Sequence, residues 1–200
     1  MTSTPRKRAD ASVPDISVIV PVLNEAGNIR PLIDEICDAF SGRDFEIIYV
    51  DDASTDDGLA ELAQAIRDIP QLRVLRHERR AGQSAAIRSA LGVARGDLVG
   101  VLDGDGQNVP ADLPKLESVL KAAVAAGQGT LGMAAGIRAK RQDSAKRLIA
   151  SRAARWIRVR FLADRHPDSG CGTKVLHRSL FLQLPCLLYT SPSPRDLLKS

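Results

Sequence analysis

The chain has 200 residues, 44% of them hydrophobic and only 4% aromatic, with a formal net charge of +4. That length and apolar content suit one globular domain with an aliphatic core and exclude a disordered chain. No apolar stretch reaches the roughly 18 residues of a membrane-spanning helix, and the charged, proline-containing first fifteen residues lack the apolar run of a secretory signal. Residues 1–14 therefore read as a disordered basic arm. Cys37, Cys171 and Cys186 form neither a C-x-x-C pair nor a zinc-like cluster with the histidines, as expected of reduced thiols in a cytosolic setting.

Ile16 to Val20 is an unbroken, β-branched apolar run, which predicts a strand buried on both faces and ended by Pro21. Ile29, Leu32, Ile33, Ile36, Cys37 and Phe40 then recur at helical spacing, with Asn28 as a candidate cap and Pro31 in the first turn. Phe45 to Val50 predicts a second strand, closing on Asp51-Asp52-Ala-Ser-Thr-Asp56-Asp57. Ser54, Thr55 or Asp56 can cap the next helix, whose stripe is Leu59, Leu62, Ile66 and Ile69, but Asp51 and Asp52 precede any cap. Leu72 to Leu75 reads as a third strand. Gly82 to Ala94 reads as a third helix, with Ile87, Ala90, Leu91 and Ala94 inward.

The apolar run Leu98 to Leu102 leads straight into Asp103-Gly-Asp105-Gly-Gln107-Asn-Val-Pro110. Alternating oxygen donors at 103, 105 and 107, with glycines that let the backbone bend closely, suit one hard cation; an ordinary Asp/Gly turn is the competing reading. A calcium loop of the EF-hand type does not fit, because its fifth, sixth and twelfth positions fall on Gln107, Asn108 and Pro114. A fourth helix follows, with Leu113, Leu116, Val119, Leu120 and Ala123 inward, and then a short strand around Thr130 to Ala134.

Alternating strand and helix predicts a mainly parallel α/β sheet with helices on both faces and a ligand crevice beyond the carboxyl ends of the strands. Asn24-Glu25, Asp51-Asp52 and Asp103 to Asn108 would all meet there. The G-x-G-x-x-G fingerprint and the Walker lysine loop are both absent, which argues against dinucleotide and P-loop sites. Basic residues crowd Arg6 to Arg8, Arg73 to Arg80 and Arg138 to Arg165, and suggest an anionic partner. Within the last of these, Ile149, Ala153, Trp156 and Ile157 share one helical face and Arg147, Ser151, Arg155 and Arg158 another. Such a segment suits an anionic lipid surface, and equally a packed helix with solvated arginines.

Five motifs in order carry a resemblance: Ile-Val-Pro-Val-Leu-Asn-Glu at 19–25, Asp-Asp-Ala-Ser-Thr-Asp at 51–56, Asp-Gly-Asp-Gly-Gln-Asn at 103–108, Gly-Ile-Arg at 136–138 and Asp-Ser-Gly-Cys-Gly at 168–172. Together they resemble family 2 glycosyltransferases of the polyprenyl-phosphate sugar transferase type, similar to dolichol-phosphate mannosyltransferases. The resemblance implies a glycosyltransferase-A fold over residues 15–185, incomplete at its C-terminal end, and leaves residues 186–200 as a non-native tail.

It further implies that Pro21, Asn24, Glu25, Asp51 and Asp52 hold the nucleotide, and that Asp103, Asp105 and Gln107 hold Mg2+ or Mn2+ on the diphosphate. Arg138, Arg147, Ser151 and Asp168 would receive the acceptor phosphate, with Asp105, Arg147 and Ser151 central to catalysis. The implied reaction is inverting transfer of a sugar from a UDP- or GDP-sugar to a polyprenyl phosphate. It would take place at an anionic membrane surface on the cytoplasmic face, with no nucleic-acid partner. Two competing readings are a non-catalytic nucleotide- or membrane-binding domain and a metal-dependent phosphohydrolase with Asp103 as nucleophile.

Overall fold

A computed structural model of the chain describes residues 13–127, 132–136 and 172–183. Strands β1 (Ile16–Val22), β2 (Phe45–Asp51), β3 (Leu72–Arg76) and β4 (Leu98–Val101) alternate with helices α1 (Ile29–Ala39), α2 (Gly58–Asp68), α3 (Gln83–Val93) and α4 (Asp112–Ala125). Strands β5 (Met133–Ala135) and β6 (Lys174–His177) and the single turn α5 (Arg178–Phe181) complete the described elements. The sheet order is β3-β2-β1-β4-β6-β5. β1 to β4 are mutually parallel, and β6 runs antiparallel to both its neighbours.

Side chains alternate across the strands, so one sheet feeds two cores. Val18, Val20, Ile47 and Tyr49 pack beneath α1, α2 and α4, while Ile19, Ile48, Val50 and Val99 pack on α3 and on Phe181 of α5. α1 buries the stripe expected of it, Ile29, Leu32, Ile33 and Ile36, and Phe40 beyond its end is fully buried. Burial of one such aliphatic side chain contributes about 1.5–3 kcal/mol, so this stripe alone fixes the helix on the sheet.

Several expectations need correction. Pro21 does not end β1: the strand continues to Val22, with Pro21 in register with Val50. The ladder to β4 has stopped at Ile19, on the side where the missing Pro21 N–H would point, so no hydrogen bond is lost. In α2 the buried positions are Gly58, Leu62 and Ala65, with Ile69 just past the helix, and Ile66 is exposed. In α4 it is Glu117, not Val119, that turns inward, where Arg43 (2.8 Å) and Lys121 (2.7 Å) meet its Oε1. β6 was not anticipated, since its four residues carry only two buried apolar side chains, Val175 and Leu176. The basic segment 138–165 lies outside the described residues.

Candidate functional site

Because β2, β1 and β4 are adjacent and parallel, their carboxyl ends open on the same edge, and the loops that leave them are tied together. The loop after β1 and the loop after β2 are zipped by side chains. Asn24, with φ 57°, accepts at Oδ1 from the Thr55 amide (2.8 Å), while its own amide donates to Ser54 Oγ (2.9 Å). The Ala26 amide donates to Asp56 (2.8 Å) and the Gly27 amide to Glu61 (2.8 Å). Asp56 also takes the first amide of α2, from Gly58 (3.1 Å), but the N-cap itself is Asp57, one residue past the expected Ser54, Thr55 or Asp56, and its side chain makes no capping bond. Asn28 begins α1, but its amide group bonds Glu25 Oε2 (3.0 Å) instead of capping the helix. Glu25 is half-buried at the rim.

Both aspartates at the end of β2 are buried and engaged. Asp51 accepts the Ser54 amide (3.0 Å) at one oxygen; the other, which makes no hydrogen bond among the described residues, stands 3.4 Å from Arg76 Nε. Asp52 accepts the Ala81 amide (2.8 Å) and His77 Nδ1 (2.7 Å) at Oδ1, and the Gly82 amide (2.7 Å) at Oδ2. Burial pushes the Asp52 carboxyl up, but the Ala81 amide, the His77 ring and the Gly82 amide outweigh it and hold the group below its ordinary value. It is therefore an ionised pin for the loop that follows β3.

In the sequence that loop stands out only for the basic run up to Arg80, yet it is what joins the corners. Directly after Gly82, Gln83 opens α3 and its Nε2 donates to Asp103 Oδ1 at 2.9 Å. Asp52 and Asp103 are thus bridged by two consecutive residues. Pairings 20 and 29 or more residues apart leave no local pattern; the only signal available was the Ala81-Gly82 pair ahead of a helical stripe.

Asp103 leaves β4 against the end of β1. A β-carbon on Gly104 would overlap the Val22 side chain and lie 3.1 Å from the Pro21 carbonyl oxygen, so only glycine lets the acidic loop press on β1. Asp105 and Gln107 are exposed beyond it; Asp105 Oδ1 accepts the Gln107 amide (3.1 Å) and Gly106 takes φ 69° between them. From the other side Gly172, just ahead of β6, presents its bare α-carbon to the Asp103 carboxylate.

The structure therefore sets Pro21, Asn24, Glu25, Asp51, Asp52, Asp103, Asp105 and Gln107 on strand ends and loops along the carboxyl edge of the sheet, with Asp52 and Asp103 tied to each other through Gly82 and Gln83, whereas Arg138, Arg147, Ser151 and Asp168 lie outside the described residues. Among the described residues no group of three or more His, Cys, Asp or Glu side chains converges on one point. Two carboxylates and an amide oxygen on a turning, glycine-cleared loop fit a hard cation that completes its shell with ligand phosphate and water rather than one caged by protein alone.

These features define an α/β protein with polar side chains gathered at the carboxyl edge of its sheet, the edge where ligands bind in such folds. Residues 17–183 match the family described as Glycosyl transferase family 2, and the chain belongs to that family. It is 32% identical over 174 residues to the dodecaprenyl-phosphate galacturonate synthase of Rhizobium johnstonii, covering 85% of this chain and 50% of that protein. It is 38% identical over 169 residues to the undecaprenyl-phosphate 4-deoxy-4-formamido-L-arabinose transferase of Pseudomonas aeruginosa, covering 82% of this chain and 48% of that one. The chain thus spans about half the length of these curated relatives. Among solved structures it resembles glucosyl-3-phosphoglycerate synthase from Mycobacterium tuberculosis in complex with Mn2+, UDP and glucosyl-3-phosphoglycerate, at 25% identity and a TM-score of 0.61, covering 86% of this chain and 59% of that one. The fold is of the glycosyltransferase-A type.

Proposed function

We propose that this domain transfers a sugar from a UDP- or GDP-sugar to the phosphate of a polyprenyl phosphate, inverting the anomeric centre in one step. The observation that supports the reading is the bridge from Asp52 through Gly82 and Gln83 to Asp103, which ties the polar ends of β2 and β4 to each other. Kinship with two polyprenyl-phosphate sugar transferases supports the acceptor class.

In this reading the loop from Asn24 to Glu25 and the end of β2 shape the base and ribose pocket. Asp103, Asp105 and Gln107 would hold Mg2+ or Mn2+ on the diphosphate. A bound divalent ion supplies charge neutralisation for the departing nucleoside diphosphate. An oxygen of the lipid phosphate attacks the anomeric carbon as the bond from that carbon to the diphosphate oxygen breaks. The phosphate monoester has a second pKa near 6, so the nucleophile is already ionised at neutral pH and needs no strong base. Arg138, Arg147, Ser151 and Asp168 are assigned to the acceptor phosphate through the family resemblance, with the cations offsetting its repulsion from the donor.

The domain would act from the cytoplasmic face, with the basic segment 138–165 against anionic lipid. Among the described residues no helix is long and apolar enough to cross a membrane. The test is incubation of the full chain with UDP- and GDP-sugars, Mn2+ and a short polyprenyl phosphate, with detection of a lipid-linked sugar of inverted configuration. Transfer that persists unchanged in Asp105→Ala refutes the proposal. Calorimetry with UDP or GDP and Mn2+ separates binding from turnover, and co-sedimentation with anionic against neutral vesicles checks the membrane partner.

A further inference from the structure

A largely buried histidine stands at the carboxyl end of β3, beside Asp52. His77 follows β3 directly, and its backbone amide extends the ladder to the Asp51 carbonyl (2.9 Å). Its ring bridges two elements, with Nδ1 on Asp52 Oδ1 at 2.7 Å and Nε2 on Ser89 Oγ of α3 at 2.9 Å. An ionised Asp52 can only accept, so Nδ1 carries a proton toward it, and Nε2 meets the Ser89 hydroxyl, which can either donate or accept. Asp52 also collects the Ala81 and Gly82 amides, and the next residue reaches Asp103.

We infer that His77 is a positioning residue for the donor site. Through its two nitrogens it clamps α3 to Asp52, which sets where Gln83 meets Asp103 and keeps the two ends of the crevice in fixed relation. The inference rests on the nucleotide-sugar reading above.

Asp52, His77 and Ser89 also follow the order of a nucleophilic triad. The location of Ser89 rules that role out. It lies inside α3, between Gln83 and Val93, where backbone amides are consumed by the helix and none is free to stabilise an oxyanion. The hydroxyl serves to steer the ring.

The experiment uses the full chain with calorimetric titration of UDP and of GDP in the presence of Mn2+. His77→Phe keeps the ring and removes both nitrogens; His77→Asn returns a donor near the Nδ1 position. By analogy with residues that orient ligating groups, His77→Phe is expected to raise the nucleotide Kd by about tenfold or more, His77→Asn to return it to within about threefold of wild type. Ser89→Ala, which removes one hydrogen bond, is expected to raise it by about threefold. Wild-type affinity in His77→Phe, or equal losses in the Phe and Asn variants, overturns the inference.

If His77→Phe does not fold, Ser89→Ala and the 15N spectrum of the wild-type ring carry the test. A ring protonated at Nδ1 supports the relay, and one protonated only at Nε2 overturns it. Absence of nucleotide binding by the wild-type chain defeats the donor-site reading and this inference with it. Wild-type binding that the variants leave untouched defeats this inference alone.

Discussion

Gly172 stands directly against Asp103: a β-carbon at residue 172 would fall on the carboxylate itself. The two residues belong to different motifs, and their contact makes the segment before β6 one wall of the acidic corner. Gly172→Ala must either turn Asp103 away from Gln83 or lift that wall. In the proposed reading Asp103 is one of the metal ligands, and displacing it through its neighbour is then expected to weaken Mn2+-dependent binding of UDP or GDP by about tenfold or more. Calorimetry on the variant checks it; unchanged affinity would mean that the wall yields freely and does not guard the carboxylate.

Asp105 differs from Asp103 in its exposure. Its carboxylate is engaged within its own loop, by the Gln107 amide. Asp105→Asn is therefore expected to leave the unfolding free energy within about 0.5 kcal/mol of wild type, as for other surface changes. Sugar transfer, by contrast, should drop by about 100-fold or more, the scale seen when a preorganised electrostatic group is removed. A thermal melt and a transfer assay on the same preparation separate the two, and equal losses in both would show that the loop needs Asp105 for folding rather than chemistry.

The periodic part of the fold was readable in the sequence because it is local. Four strands and four helices follow from runs and stripes such as Ile16 to Val20 and Ile29 to Phe40, and the parallel order follows from their alternation. The acidic loop at 103–107 and the end of β2 were readable as polar residues at strand ends. What was hidden depends on distant partners. Glu117 is a poor choice for an inward helix position until Arg43, 74 residues earlier, is seen to pair with it. His77 and Gln83 match no motif, and their roles exist only through Asp52 and Asp103. β6 is too short to announce itself, and gains its place from the β4 and β5 ladders on either side.

Glu46 lies at the other end of the sheet, buried at 1% exposure. Burial pushes its carboxyl up, but the Arg95 amide (2.7 Å), the Ser17 hydroxyl (2.7 Å) and the guanidinium groups of Arg73 (3.1 Å) and Arg95 (3.0 Å) together hold it below its ordinary value. An unfolded glutamate titrates near about 4.3, so this group contributes stability that is fully present above that pH and is lost as pH falls through its lower folded value. Asp52 and Glu117, also held down, act in the same direction. Urea unfolding is expected to give a flat free energy from neutral pH to about 5 and a decline below about 4. Glu46→Gln should lose about 1–2 kcal/mol at pH 7, because its charge-assisted hydrogen bonds become neutral ones while Arg73 and Arg95 stay partly solvated, and should show a shallower acid decline. A variant whose acid decline matches wild type would remove Glu46 from the account.

Tyr49 presents the opposite case, a buried polar atom with nothing to bond. Its side chain is fully buried between α1 and α2, and its hydroxyl has no hydrogen-bond partner among the described residues. Burial, with Cys37 beside it, pushes the phenol well above its ordinary value, so it stays neutral at any pH the fold survives. A neutral hydroxyl desolvated without a partner costs about 1–3 kcal/mol, and phenylalanine fills the same ring volume without it. Tyr49→Phe is therefore expected to stabilise the chain by about 1 kcal/mol, read as a higher urea midpoint at unchanged slope. The ring keeps its place in the buried cluster beneath the helices, so nucleotide binding at the carboxyl edge of the sheet should not move. A lower midpoint would mean that the hydroxyl is satisfied by a bound water or by a residue outside the described segments.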